Sequence, residues 1–269
     1  MKFSILGSTG FIGSHLQAYL KASNLECFCP GRNYVFNQTE NLGHVIYGIG
    51  LTSDFRQKPM ETVDAHVCKL LGFFKCARFD SFLYLSSTRV YNGIDSGNES
   101  SDLTVNPRNF NDLYNLSKLM GESICLTQSN NCIRVARLSN VIGNNFDSNN
   151  FLFSIIKESV DFRKITLKES LETSRDYIGI DDAIKLIVLI ATKGEERLYN
   201  IASGNSISNG DLINKIKKYT ACAVESVGAS VPVKFPQIAV EKISREFSYT
   251  SSKILDHVEE LVKLYKQKK

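Results

Sequence analysis

The feature that most restricts this chain is the run Lys2–Leu16, KFSILGSTGFIGSHL. Phe3, Ser4, Ile5 and Leu6 form a short, mostly apolar stretch that predicts a buried strand. It ends in a glycine turn, Gly7-Ser8-Thr9-Gly10-Phe11-Ile12-Gly13, and a helical pattern follows with Ile12, Leu16, Tyr19 and Leu20 on one face. Strand, glycine turn and helix in this order form a receptor for a pyrophosphate. The glycines let main-chain N–H groups approach phosphate oxygens, and the helix N-terminus adds a partial positive charge. A G-x-x-G-x-x-G alone is a weak signal, since an ordinary strand–helix turn also uses glycine. The strand directly before it and the helix directly after it give it weight.

At 269 residues the chain can bury a sizeable core, in one large domain or two small ones. A net charge of +4 is too mild to argue for nucleic acid, and there are no basic–aromatic repeats. Lys263, Lys266, Lys268 and Lys269 read as a solvated helix end, where the helix dipole favours cations. The seven cysteines are odd in number and include no C-x-x-C, which predicts free thiols in a reducing compartment. The four histidines lack metal-ligand spacing. The chain enters a strand at once, and no apolar run approaches a membrane span of ~20 residues. A cytoplasmic protein with no membrane, metal or nucleic-acid partner is expected.

Leu25–Cys29 predicts a second strand, followed by Pro30-Gly31-Arg32. In dinucleotide folds the end of this strand meets the adenosine ribose, where an acid favours NAD and a nearby Arg accepts the extra phosphate of NADP. Glu26 lies too early to serve. Arg32 leans the expectation towards NADP, although a solvated loop carries such an Arg equally well. Val45–Gly50 (VIYGIG) is the next strand, with Gly48, Ile49 and Gly50 at the end where a cofactor would pass. So few residues separate these strands that one strand–helix unit must be cut down. Val63, Val67, Leu70, Leu71 and Phe74 then recur at helical spacing, and SFLYLSS (Ser81–Ser87) is a strand with a polar end. The alternation continues through Tyr114–Leu126 (helix), Cys132–Leu138 (strand), Phe151–Val160 (helix) and Asp182–Thr192 (helix). It predicts an α/β fold, a doubly wound parallel sheet with helices on both faces. The stretch from about Gly204 is irregular and closes with an amphipathic helix, consistent with a smaller C-terminal cap.

Tyr114-Asn115-Leu116-Ser117-Lys118 places a phenol and an amine one helical turn apart. An ammonium beside a phenol favours the phenolate, and such a phenol can exchange a proton with a carbinol while hydride moves to or from a nicotinamide. Alone, Y-x-x-x-K usually marks surface helix. Here the glycine turn lies upstream and Ser86-Ser87-Thr88 lies at a strand end between the two. Asp181 and Asp182 stand just before a helical run and read as N-cap and first-turn acids rather than as a catalytic pair.

With these segments in place, the chain resembles, over nearly its full length, the extended short-chain dehydrogenase/reductases of the NAD-dependent epimerase/dehydratase family. The resemblance rests on Gly7, Gly10 and Gly13. It rests also on Ser86-Ser87-Thr88-Arg89-Val90-Tyr91 and on Tyr114, Ser117, Lys118 and Glu122. Further matches are Arg137, Asn140, Val141 and Gly143, then Arg175, Asp176, Tyr177, Ile178, Asp181 and Asp182, and finally Tyr199, Asn200, Ile201, Ser203 and Gly204. It implies a Rossmann-like domain, residues 1–143 and 176–203, and a substrate-binding cap, 144–175 and 204–269. It implies Ser87, Tyr114 and Lys118 as catalytic residues. Gly7–Gly13, Arg32, Gly48, Ile49, Gly50, Ser86, Tyr114 and Lys118 would contact NADP or NAD, and Thr88, Arg89, Asn140 and Arg175 the substrate. It further implies a nucleotide-activated sugar as substrate, a place in polysaccharide biosynthesis, and a homodimer through the helix at Glu61–Phe74 and the one carrying Tyr114.

The departures bear on the reaction. The second-strand acid is missing, and Asn144 replaces the family's usual Pro. In the 4,6-dehydratases an Asp-Glu pair follows the catalytic hydroxyl and protonates the leaving water; here Thr88 and Arg89 follow. Arg does not release a proton at accessible pH. The acid/base Cys of the GDP-fucose synthase branch is absent too. What remains fits a 4-ketoreductase or a C4-type epimerase. A reductase of non-sugar carbonyls, or a dinucleotide-binding regulator without turnover, are the competing classes. Arg89 either pairs with a carboxylate such as Glu99 or faces the pocket and grips an anionic group of the substrate.

Overall fold

Six parallel strands form the frame on which everything else is hung. They are described by a computed structural model that covers residues 1–51, 54–146, 150–227, 232–233 and 235–269. In chain order the large sheet and its helices are β1 (Lys2–Leu6), α1 (Phe11–Ala22), β2 (Glu26–Phe28) and β3 (His44–Tyr47). Then come α2 (Pro59–Val63), a π-helical turn (Asp64–Cys68), α3 (Lys69–Cys76), β4 (Ser81–Ser87), α4 (Leu113–Leu126) and β5 (Ile133–Leu138). A smaller unit follows with β6 (Asn140–Ile142), α5 (Phe151–Asp161), β7 (Lys164–Leu167) and β8 (Ser174–Gly179). The chain returns through α6 (Ile180–Lys193) and β9 (Leu198–Ile201). It closes with β10 (Ser206–Ser208), α7 (Asn209–Thr220), β11 (Ala223–Ser226), α8 (Glu241–Phe247) and α9 (Ile254–Gln267).

The large sheet runs β2-β1-β3-β4-β5-β9, all parallel. Side chains go alternately to its two faces. Phe3, Ile5, Ile46, Leu83 and Leu85 pack with α1 and α6, while Leu6, Val45, Tyr47, Phe82 and Tyr84 pack with α3 and α4. Both faces are covered, which is why the strands read as near-continuous apolar runs. The chain steps to one side of β1 to make β2 and returns to the other side to make β3. The switch point therefore lies between the C-terminal ends of β1 and β3, where such sheets bind ligands.

The expected short crossover is residues 29–43, which contain neither helix nor strand. Edge-on aromatic contacts, Phe28–Tyr34 at 5.2 Å, Tyr34–Phe36 at 5.1 Å and Phe36–Phe73 at 5.0 Å, fold it onto α3. The helix after β3 differs from its sequence reading. The buried positions are Thr62, Ala65, His66, Leu70 and Phe73, and Leu71 is 42% exposed. The π turn inserts a wider spacing between the first and second halves, so a single helical period cannot describe both.

The smaller unit has its own core. Ile142, Leu152, Ile156, Ile165, Tyr177, Leu212, Ile216 and Val258 are buried together among α5, α7 and α9. Two small sheets, β10-β8-β6 and β11-β7, complete it. The helix α8 departs from the sequence division, because Ile243 is fully buried in the large-sheet cluster with Val240 and Phe247 against it. All seven cysteines are free. No described helix is long and apolar enough to cross a membrane.

Ile187 is fully buried in α6 against the sheet. Ile187→Ala should cost about 2–5 kcal/mol, read as a lower denaturation midpoint in urea.

Candidate active site

At the switch point two main chains come close enough to forbid a side chain. Gly7 has φ +90°, and a Cβ there would stand 2.7 Å from the Gly48 carbonyl oxygen and 2.9 Å from the Ile49 nitrogen. A Cβ on Gly13 would meet the Gly7 carbonyl at 2.3 Å. Gly10 caps α1, and its N–H donates to the Gly7 carbonyl at 3.1 Å. Beside Gly10 a Cβ would find only the Gly7 carbonyl at 3.4 Å, so the mouth of the turn is open. No acidic residue stands in the first turn of α1, which leaves its N-terminus free for an anion. Thr9, Gly10, Gly48 and Gly50 are exposed, and Ser8, Phe11 and Ile49 are half-buried. Ile12 packs against the sheet core, so it can offer an anion only its main chain. Arg32 is exposed beyond the edge strand β2.

Helix α4 presents an unusual face to the sheet. Its buried residues are Tyr114, Asn115, Ser117, Lys118, Gly121, Glu122 and Cys125, at helical spacing and mostly polar. A packed helix normally turns apolar side chains inward, so a polar inward stripe must be satisfied group by group. Gly121 allows this close seat. A Cβ there would lie 2.4 Å from the Tyr84 hydroxyl and 3.0 Å from the His66 carbonyl oxygen. Lys118 Nζ donates to the Leu85 carbonyl at 2.9 Å. The Ser117 hydroxyl donates to the Tyr114 carbonyl at 2.9 Å and lies 2.8 Å from His66 Nδ1. That geometry makes Nδ1 the donor and leaves Nε2 a bare acceptor. Nε2 has no hydrogen-bond partner among the described residues; a Cβ on Gly50 would stand 2.8 Å from it and 3.5 Å from Lys118 Nζ.

The charges of this cluster are set by burial. Loss of solvent pushes the Lys118 amine down to about 7, with Glu122 pulling the other way. His66 is pushed down to about 2, by burial first and by Lys118 second, and stays neutral. Burial raises the Tyr114 phenol. The Ser87 hydroxyl and the charge of Arg89 pull it back down. The sequence assigned that role to Lys118; in the structure the nearer cation in effect is Arg89, whose guanidinium lies 5.4 Å from the Tyr114 ring centre, against 6.0 Å for Lys118 Nζ.

Beneath the cluster the remaining motif residues form one buried polar network. The Arg137 guanidinium meets the Glu122 carboxylate through Nη2–Oε2 at 2.7 Å and Nε–Oε1 at 3.0 Å. Ser86 Oγ donates to Glu122 Oε1 at 2.5 Å, and Arg137 Nη1 donates to the Tyr91 hydroxyl at 2.8 Å. Tyr91 in turn donates to Asn200 Oδ1 at 2.8 Å. The Ser86 side chain is thus turned inward, to Glu122.

Arg89 does not pair with Glu99, whose Oε1 accepts the Asn200 N–H at 3.1 Å. It follows Ser87 and Thr88 in a 3-10 turn, its N–H donating to Ser87 Oγ at 3.2 Å. Asn140 and Arg175 stand apart from this cluster, in the β10-β8-β6 sheet. Asn140 Nδ2 donates to the Asp176 carbonyl at 2.8 Å, and Arg175 pairs with Glu169 at 2.7 Å. Gly143, just after β6, packs so closely on α6 that a Cβ would lie 2.6 Å from the Ile180 side chain, with the Phe11 ring of α1 at 3.1 Å. Asp181 and Asp182 occupy the first turn of α6, capped by Gly179, and Asp182 accepts the Ser252 N–H at 3.1 Å. The sequence did not single out His66 or Gly121; a glycine inside a strong helical pattern was the available signal for the second.

Glu122→Ala leaves the Arg137 charge buried without its partner, and should lower stability by about 3–5 kcal/mol in thermal or urea unfolding. Lys118 has a folded pKa near 7, below the ~10.4 of the unfolded chain. Between those values the unfolded state binds the extra proton, so this group's contribution to stability rises with pH. Urea titrations from pH 7 to 10 should show wild type gaining on Lys118→Met.

Residues 56–202 match the model of the NAD dependent epimerase/dehydratase family. A GDP-6-deoxy-D-mannose reductase of Pseudomonas aeruginosa is 27% identical over 252 residues, covering 83% of this chain and 81% of the relative. A dTDP-D-glucose 4,6-dehydratase of Dictyostelium discoideum is 24% identical over 265 residues; 80% of this chain spans 61% of its length. The structure of RMD from Pseudomonas aeruginosa complexed with NADPH superposes with a TM-score of 0.80 at 20% identity, over 100% of both chains. The glycine turn at the switch point, the inward polar stripe of α4 and the matched span together place the chain in the NAD dependent epimerase/dehydratase family.

Proposed function

We propose that this chain is an NAD(P)-dependent oxidoreductase acting on a nucleotide-activated sugar, as a 4-ketoreductase or a C4-type epimerase. The observation that carries the reading is the buried Tyr114 phenol, drawn down by the Ser87 hydroxyl at the end of β4 and one turn from Lys118. The residues present fit a dinucleotide: the open mouth of the glycine turn and the exposed Gly48 and Gly50 lie along one crevice at the strand ends. Gly7 to Gly13 would hold the pyrophosphate on main-chain N–H groups, and Lys118 would hold the nicotinamide side. The bound nicotinamide supplies or accepts hydride. Tyr114 passes the matching proton to or from the sugar oxygen, and Ser87 orients that oxygen. Approach of a cationic ring and of the protonated Lys118 would ease ionisation of the phenol, adding to what Arg89 does already.

Thr88 and Arg89 favour redox chemistry without loss of water, since neither supplies the acid that a dehydratase needs. Thr88, Arg89, Asn140 and Arg175 are the proposed substrate contacts, the last two from the small β10-β8-β6 sheet. Arg32 supports NADP over NAD. Exposed Met60, Leu71 and Met120, on α2, α3 and α4, support a homodimer through these helices.

Tyr114→Phe should abolish hydride transfer, followed by nicotinamide absorbance, while cofactor binding stays within a few-fold; full activity in this variant would overturn the assignment. Arg32→Ala should weaken NADPH binding about tenfold in a fluorescence titration and leave NADH nearly unchanged.

A further inference from the structure

Two guanidiniums stand at the mouth of the cluster with no ion pair among the described residues. Arg89 Cζ lies 4.7 Å from the centre of the Phe55 ring, and Arg56 Cζ lies 4.6 Å from that same centre. Phe55 is buried, 1% exposed, and its ring touches Tyr114 at 5.4 Å. Asn111 spaces the pair. Its Oδ1 accepts from Arg56 Nε at 2.7 Å, and its carbonyl accepts from Arg89 Nη2 at 3.4 Å. That single long bond is the only hydrogen bond of the Arg89 side chain to a described residue, although a guanidinium has five donors. Asp112 is the nearby acid, and one of its oxygens already accepts the Asn106 N–H at 2.9 Å. Burial and the charge of Arg56 both press on Arg89; Tyr114 and Asp112 only partly offset them. Two like charges gathered on one aromatic ring, Arg89 half-buried and Arg56 exposed, neither in an ion pair with a described carboxylate, are an arrangement that an anion would relieve.

We propose that Arg89 and Arg56 form a subsite for a carboxylate carried on the sugar ring of the substrate, so that the preferred substrates are nucleotide-activated uronic acids. This rests on the functional reading above. The position selects a group on the sugar. Arg89 stands two residues after Ser87, its N–H bonded to the Ser87 hydroxyl, and its guanidinium lies over the Tyr114 ring, so its forked donors stand beside the two hydroxyls proposed to act on the carbinol. A planar carboxylate matches that fork with two parallel bonds, which a neutral hydroxymethyl group cannot do. The other proposed substrate contacts, Asn140 and Arg175, belong to the small β10-β8-β6 sheet.

The test uses the full chain loaded with NADP(H) and titration calorimetry against matched probes: UDP-glucuronate with UDP-glucose, and GDP-mannuronate with GDP-mannose. In at least one pair the acid should bind tenfold or more tighter than its neutral counterpart. Arg89→Met keeps an apolar stem on the rings and should cut that preference below threefold, by losing far more affinity for the acid than for the neutral sugar nucleotide. Arg56→Met, at an exposed position that does not endanger folding, should cut it in the same direction. Absence of a preference in wild type, or a preference intact in both variants, would overturn the proposal. Equal loss of acid and neutral ligands would assign the guanidiniums to the diphosphate and overturn it as well. Cofactor binding without any sugar-nucleotide binding would instead overturn the functional reading, and the subsite with it.

Discussion

The ion pair between Arg137 and Glu122 ties this structure together. Both side chains are almost wholly buried, and both would be costly to keep inside without each other. Around them the network satisfies the remaining donors and acceptors: Ser86 at the end of β4, Tyr91 in the turn after it, Asn200 on β9. Each comes from a different element, so the pair fixes how β4, β5, β9 and α4 sit against one another. Tyr114 and Lys118 lie on the same helix face as Glu122, two turns and one turn away. Their place at the strand ends is therefore inherited from a contact that never reaches the cleft.

That division of labour explains what could be read from the amino-acid sequence. The glycine turn was legible because close main-chain contacts tolerate only glycine, as Gly7 against Gly48 and Gly13 against Gly7 show. The strands were legible because a sheet covered on both faces demands continuous apolar runs. The cut-down crossover was legible from chain length alone. The Ser, Tyr and Lys segments were visible as patterns. Which members face the cleft and which face inward was not. Ser86 and Ser87 are neighbours, yet strand alternation sends the first to Glu122 and the second to Tyr114.

The electrostatics were the least legible part. A phenol and an amine four residues apart suggest direct help from one to the other. Burial, which no spacing reveals, instead brings the Lys118 amine down to about 7 and makes Arg89 the cation that acts on Tyr114. The inward edge of His66 was hidden for a related reason. The π turn shifts the buried stripe, so a pattern drawn at one period puts His66 off the packed face. The separation of α8 from the cap is likewise a tertiary result. Its few apolar residues suit either core.

The π turn also sets where this protein can change length. The five residues Asp64–Cys68 make one widened coil in a helix whose two halves are both seated, one by Thr62 and Ala65, the other by Leu70 and Phe73. Deleting a residue there would rotate everything after it by about 100° and lift Phe73 from the aromatic cluster on the sheet. Residues 29–43 have no such phase to keep. Lineages of this chain should therefore accumulate insertions and deletions in that crossover and hold the helix after β3 at constant length.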